Sequence, residues 1–312
     1  MIHTIIFIVI GVIVVFGILP TLAMSFAIYY VLLVRNKPEK WGRECSIPDD
    51  EEYRNMFDEG MEWDARYSEK KREVDIVSDG FHLYGEYFDF GGTRAVIIIA
   101  GRMESLLYSY YFAEPYRQEG LNVLVIDNRA HGKSEGKRNS LGQKEYRDIL
   151  AWSRLLHDEL GNESVVLHGI CIGSAAALFA LTSEDCPDYI HSMVAEGMYT
   201  TFYETFKNHM IQDKHPLFPF ALEVMLHIRI FSGVNVLTDG PIRRIGKLDR
   251  PILFLHSKED TFSLPEKAEE LYEKCSSNKK IVWYNKGAHS RIRANNKQAY
   301  DDAIVAFLRK NA

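Results

Sequence analysis

At 312 residues the chain is long enough for one large α/β domain with appendages, or for two small domains. Hydrophobic residues make up 46% and charged residues 26%, as in a globular protein with an added apolar segment, and a net charge of −6 without a basic stripe excludes a nucleic-acid partner. Cys45, Cys171, Cys186 and Cys275 form no CxxC pair and no zinc-like spacing with histidines, which points to free thiols in a reducing compartment.

The chain opens on an apolar run. From Ile2 to Val34 there is no Asp, Glu, Lys or Arg, a length of about 33 residues against the ~20 a helix needs to cross hydrocarbon. A cleavable signal peptide would start with basic residues and leave through a small-residue site, and neither is present. Gly11, Gly17 and Pro20 are tolerable in a membrane helix. Residues 1–34 therefore read as an uncleaved, single-pass transmembrane anchor. Arg35, Lys37, Lys40 and Arg43 follow it, while only the α-amino group and His3 precede it, so the positive-inside rule puts the rest of the protein on the cytoplasmic side. Residues 35–72 form a polar juxtamembrane segment in which Phe57, Met61 and Tyr53 fall on one helical face.

From there short strands alternate with longer helices. Strands are predicted at 74–77, 82–88, 95–100, 122–126, 164–167, 190–195, 251–256 and 280–284, and helices at 105–118, 143–160, 172–181, 265–274 and 295–310. The strands from Ala95 onward are near-continuous apolar runs, as strands covered on both faces must be. Alternation implies right-handed crossovers and a mostly parallel eight-stranded sheet with helices on both faces, and the first pair, joined at Ser78-Asp79-Gly80, reads as an antiparallel hairpin at its edge. The interval 197–248 breaks the alternation and is rich in aromatics and Met. It reads as a helical lid over the sheet's C-terminal edge, where open α/β sheets bind ligands, and its greasiness points to an acyl substrate.

One turn stands out. The run Val165-Val166-Leu167-His168 leads into Gly169-Ile170-Cys171-Ile172-Gly173, and an Ala-rich stretch follows. This is the strand–elbow–helix pattern that pushes a nucleophile out of the top of a parallel sheet, and a side chain on either glycine would clash with the adjoining strand or helix. The middle position, commonly serine, holds Cys171. A nucleophile needs a base, and the base needs a group to orient it. Asp260 lies just past one apolar strand and His289 just past the next, giving the chain order nucleophile, acid, histidine. Glu196, directly after a strand, is an alternative acid; His131, His168 and His256 read as packing or loop-fixing residues, and Ser174 would point away from the base.

Residues 73–312 resemble the α/β-hydrolase superfamily, and within it the membrane-anchored or secreted lysophospholipase-like and acylglycerol-lipase-like bacterial hydrolases. The resemblance rests on five stretches in order. They are Ile98-Ile99-Ala100-Gly101-Arg102, Asp127-Asn128-Arg129-Ala130-His131-Gly132-Lys133-Ser134, the elbow, Pro251 to Asp260, and Gly287-Ala288-His289-Ser290. It implies an α/β-hydrolase fold and an oxyanion hole built from the backbone N–H groups of Ile172 and Arg102, with Met103 the less favoured second donor. Ala100 departs from the family, which usually has histidine before Gly101, and so does the cysteine. An acyl-thioester passes its acyl group to amines, thiols or alcohols as well as to water. The expected activity is therefore hydrolysis of carboxylic ester or thioester bonds through a Cys171–His289–Asp260 triad, with no metal or organic cofactor. Acyl transfer from the same cysteine, as its likeness to the elbow of polyhydroxyalkanoate synthases suggests, and a non-catalytic tethered binding module are the alternatives. Dienelactone-hydrolase-like enzymes also use cysteine but lack a large lid.

Overall fold

The computed structural model describes residues 2–311, apart from the side chain of Ile13; Met1 and Ala312, the outermost residues of the segments read from the sequence, lie outside the described residues. The apolar run is one helix over Ile2–Leu33. It consists of α1 (Ile2–Ile13) and α2 (Leu19–Leu33) joined by a π-helical turn at Val14–Ile18. The chain then passes straight onto the body, where Val34 bridges to Arg138 and the Arg35 N–H donates to Lys137 O at 2.8 Å. Helix α3 (Glu51–Arg66) starts at Asp50, whose carboxylate accepts the Tyr53 N–H at 3.0 Å, with Glu51 and Glu52 suited to the positive end of the helix dipole. It buries Tyr53, Met56, Gly60 and Trp63, while Phe57 and Met61 pack half-buried against the same apolar cluster. Gly60 sets the closest approach, because it sits against backbone, and a Cβ there would lie 3.2 Å from the Tyr111 nitrogen.

Strands β1 (Lys71–Ser78) and β2 (Phe81–Phe88) form the hairpin, turning on Asp79 and Gly80, both with positive φ. After β3 (Arg94–Ile99) the expected helix 105–118 is instead a 3-10 stretch, Leu106–Phe112, followed by a short α4 (Glu114–Gln118). Pro115 explains the break, since it has no N–H and its ring would collide with the carbonyl one turn back. β4 (Asn122–Ile126) precedes α5 (Tyr146–Arg154), which begins three residues later than expected. The Glu145 carboxylate ties down the turn before it by accepting from the N–H groups of Ser140 and Gly142 at 2.7 and 2.9 Å. β5 (Ser164–Ile170), α6 (Ile172–Leu181) and β6 (Ile190–Glu196) follow. The lid interval holds α7 (Phe202–Gln212), α8 (Phe220–Ser232) and α9 (Pro241–Arg244). β7 (Ile252–Ser257), α10 (Pro265–Lys274), β8 (Lys279–Tyr284) and α11 (Ile292–Lys310) complete the chain, α11 starting three residues before the expected helix and kinking at Asn296.

The eight strands form one sheet in the order β1-β2-β4-β3-β5-β6-β7-β8. β2 pairs antiparallel with both β1 and β4, and every pair from β4 to β8 is parallel. The alternation along β3 shows how the two faces fill: Ile97 and Ile99 pack with Trp152, Leu178 and Leu271, while Ile98 packs on the other face with Trp63, Tyr110 and Phe307. Segment 35–72 thus supplies part of a helical layer, through Trp63 of α3. A third apolar cluster joins Tyr29, Leu33 and Val34 to Phe202, Phe206, Met225 and Ile228, seating the lid on the end of the N-terminal helix.

Candidate active site

The parallel register delivers three chemically active side chains to one rim of the sheet. Between β5 and α6, Cys171 adopts φ 52° and ψ −112°, a strained conformation for a residue with a Cβ. The neighbours make the turn feasible. A Cβ on Gly169 would lie 2.3 Å from the Ser174 nitrogen, and one on Gly173 would lie 2.1 Å from Ile99 O, so only glycine fits on either side. The Cys171 N–H donates to Glu196 O at 2.9 Å, locking the elbow to the end of β6.

Asp260 stands on the turn after β7. Its Oδ1 accepts the N–H groups of Phe262 and Ser263 at 2.9 and 2.8 Å, and its Oδ2 accepts from His289 Nδ1 at 2.8 Å. Burial opposes its charge, but His289, His256 and the Ser263 N–H more than offset that and hold the carboxyl below its usual range. His289 follows β8. Burial would depress its imidazole, yet the Asp260 and Cys171 charges and the hydrogen bonds it donates toward them raise it well above its ordinary value. With Nδ1–H given to Asp260, Nε2 is the nitrogen left to serve Cys171. The sequence-predicted Cys171, His289 and Asp260 are therefore together.

Among the described residues the N–H groups of Arg102 and Ile172 have no intramolecular acceptor, whereas the Met103 N–H donates to His131 Nε2 at 3.3 Å. The loop holding Arg102 packs against the elbow, since a Cβ on Gly101 would lie 3.6 Å from the Cys171 Cβ. Glu104, unremarked in the sequence, supports that loop where the usual histidine is missing. It accepts the Gly101 N–H at 2.8 Å and the Tyr53 hydroxyl of α3, and burial raises its pKa.

The other candidates are elsewhere. The Ser174 hydroxyl donates to Gly169 O at 2.6 Å, inside the helix–strand junction. Glu196 accepts the Tyr300 hydroxyl at 2.5 Å and makes no hydrogen bond to His289; burial lifts it to about 7. His131 contacts Arg129 O at 2.8 Å through Nδ1 and stacks on Trp41, and burial lowers it to about 4. His168 meets the Tyr300 hydroxyl at 3.1 Å, and burial lowers it to about 3. His256 contacts Ser263 O at 2.7 Å, fixing the acid turn. His209 of α7 stacks on Phe262 at 3.5 Å, and burial, then Arg102 and His289, lower it to about 4.

A cavity of about 1010 Å³ opens above Cys171 and His289, walled by Phe202, Phe206 and Met210 of the lid and, on another side, by α2. A thiol at a helix N-terminus, close to an imidazole that a carboxylate orients and to two N–H groups without a protein acceptor, suits attack on a carbonyl whose oxygen becomes negative.

A family model described as the alpha/beta hydrolase fold matches residues 94–219. The chain has that fold. Over 217 residues it is 26% identical to an "uncharacterized protein" of Bacillus subtilis, spanning 69% of this chain and 71% of the relative. Over 233 residues it is 25% identical to an "uncharacterized membrane protein" of Saccharomyces cerevisiae, spanning 73% and 76%. An esterase of Pyrococcus furiosus superposes with a TM-score of 0.65 at 23% identity, covering 79% of this chain and 95% of the esterase. The esterase likeness is one of fold.

Proposed function

We propose that the chain is a membrane-anchored hydrolase of carboxylic ester or thioester bonds in an acyl substrate. Cys171 is the nucleophile, His289 the base, Asp260 the orienting acid, and the N–H groups of Arg102 and Ile172 the oxyanion donors. The observation that carries this reading is the 2.8 Å hydrogen bond from His289 Nδ1 to Asp260 Oδ2, at a cavity that both His289 and Cys171, on its strained elbow, line. The Cys171 thiol gives its proton to His289 Nε2 as its sulfur adds to the substrate carbonyl, and the two N–H groups take the negative oxygen. As the tetrahedral adduct collapses, Nε2–H of His289 protonates the departing alcohol or thiol, leaving an acyl-thioester on Cys171. Water then attacks this thioester with His289 accepting its proton, the sulfur leaves, and the carboxylic acid is released.

The greasy lid fits the lysophospholipase-like and acylglycerol-lipase-like resemblance. Anchoring rests on the helix Ile2–Leu33, long and apolar enough to cross a bilayer, and on the yeast relative's designation as a membrane protein. Functionally the chain divides into an anchor at 1–34, a juxtamembrane segment at 35–72 and a catalytic body at 73–312 with the lid at about 197–248. Four basic residues after the helix favour a body on the cytoplasmic side. Cysteine in place of serine gives acyl transfer its standing as a second reading, since the same thioester can acylate an alcohol or amine.

The test is the full chain in phospholipid vesicles with chromogenic acyl esters and acyl-thioesters, with and without a soluble alcohol or amine acceptor. Free acid released by wild type and lost in Cys171→Ala and His289→Ala is the expected result, and Cys171→Ser should keep esterase activity. Acceptor-dependent product with little free acid would replace hydrolysis by transfer. No turnover, together with ordinary thiol reactivity at Cys171, would overturn both in favour of a binding module.

A further inference from the structure

The N-terminal helix is longer than a membrane requires. Its 32 residues rise ~48 Å at 1.5 Å per residue, whereas hydrocarbon is ~30 Å thick. About 18 Å, the last dozen residues, is left over. Burial marks the same boundary. Among the described side chains every one from Ile2 to Pro20 is exposed, Thr21 is the first that is half-buried, and Ser25, Tyr29 and Leu33 are buried. These later residues grip the lid. The Thr21 hydroxyl donates to Glu223 at 2.8 Å, Ser25 meets His227 Nε2 at 3.0 Å, and the Tyr29 ring stacks on Phe231 at 5.6 Å. Each partner lies 202 positions further along the chain, so α2 and α8 run side by side in the same direction, with Glu223 in the first turn of α8 level with Thr21.

A second face of α2 does something else. Met24, Ala27, Ile28, Val31 and Leu32 follow one helical stripe, and all five line the cavity that contains Cys171 and His289. At the Leu32 end, Arg102 Nη1 donates to Leu32 O at 3.3 Å, beside the elbow. Met24 lies ~12 Å down the helix and one turn from Thr21, and Pro216 and Phe220 at the tip of the lid also line the cavity. That tip carries exposed apolar side chains, Phe218 at 81% and Ile211 at 54%, on either side of the exposed polar run Gln212-Asp213-Lys214-His215. One turn on from Phe218, Leu222 of α8 is exposed as well.

We infer that the cavity is a passage running along α2 from the bilayer surface at Met24 to Cys171, and that its occupant is the acyl chain of a membrane lipid. The chain enters tail-first between the helix and the lid tip without crossing water, and its carbonyl stops at the elbow. This rests on the anchored-hydrolase reading for its chemistry but not for its occupancy, so two readouts separate them.

The first uses the full chain in phosphatidylcholine vesicles doped with a diazirine-tagged palmitic acid and irradiated. Label is expected on Phe202, Phe206 or Met210 of the lid as well as on Ile2 to Pro20, and Ala27→Trp, which fills the passage, should cut only the lid label. Label confined to Ile2–Pro20, or lid label unaffected by Ala27→Trp, overturns the inference whether or not the protein turns over. The second is the ratio of turnover of a vesicle-embedded long-chain ester to that of a soluble short-chain ester. Ala27→Trp should lower it by about tenfold or more and Ala27→Leu by less, as expected for obstruction of an apolar pocket. An unchanged ratio contradicts the passage. Turnover of neither ester by wild type, with lid label retained, sinks the hydrolase reading and leaves the passage standing.

Discussion

Glu196→Gln separates two roles that the sequence leaves open for the carboxylate at the end of β6. An ordinary glutamate titrates at 4.5 and Glu196 at about 7, because burial penalises its charge while the Tyr300 hydroxyl recovers only part of the loss. Below pH 4.5 folded and unfolded chains both hold the proton. Between 4.5 and 7 the unfolded chain releases it and the folded chain keeps it, so stability falls as pH rises; above 7 the deficit is fully expressed. At about 1.36 kcal/mol per pH unit, the deficit is of the order of 3 kcal/mol. Glutamine keeps an acceptor for Tyr300 and cannot ionise. Urea unfolding in a mild detergent at a series of pH values from 4 to 8 should therefore show the variant gaining on wild type by about 3 kcal/mol as pH rises through that window. A difference that stays flat with pH would refute the burial argument. Activity should stay within about fivefold of wild type, since Glu196 makes no hydrogen bond to His289; a larger collapse would make Glu196 the orienting acid.

Asp260→Asn removes the charge that orients and raises His289, and kcat for ester hydrolysis should drop by about 10² to 10⁴-fold with the fold intact by circular dichroism. A loss under fivefold would remove Asp260 from the triad. Gly173→Ala puts a Cβ 2.1 Å from Ile99 O, and it should cost at least about 2 kcal/mol in urea unfolding, because the helix must back away from β3. Wild-type stability in that variant would mean the elbow is looser than its geometry.

The strands were legible because a sheet covered on both faces admits little but β-branched and apolar runs, and 122–126 is recovered to the residue. The elbow was legible because two close backbone approaches leave glycine no substitute at 169 and 173. Helix 105–118 failed on Pro115, a signal present in the sequence and outweighed there by apolar spacing. The closest approach of α3 to its neighbour was not legible, because Gly60 and not the aromatic residues sets it. Within the site, what escaped notice was what lies far apart along the chain. Glu104 supports the loop of Arg102 through Tyr53, 51 positions upstream, and no local pattern reports such a pair. The lining of the cavity by α2 was hidden more thoroughly. A run of uncharged residues looks the same whether lipid or protein lies against it, and only the lid's position tells the two apart.

The cluster that joins Tyr29, Leu33 and Val34 to the lid has a practical consequence. Trimming the protein after Val34, the obvious way to make it soluble, would strip three buried side chains from the underside of α7 and α8 and bare Phe202, Phe206 and Ile228 to water. The shortened chain would keep its sheet and its elbow but lose the floor on which the lid rests, and self-association through that bared patch would follow. Where the hydropathy plot ends its apolar segment, the folded object has no seam.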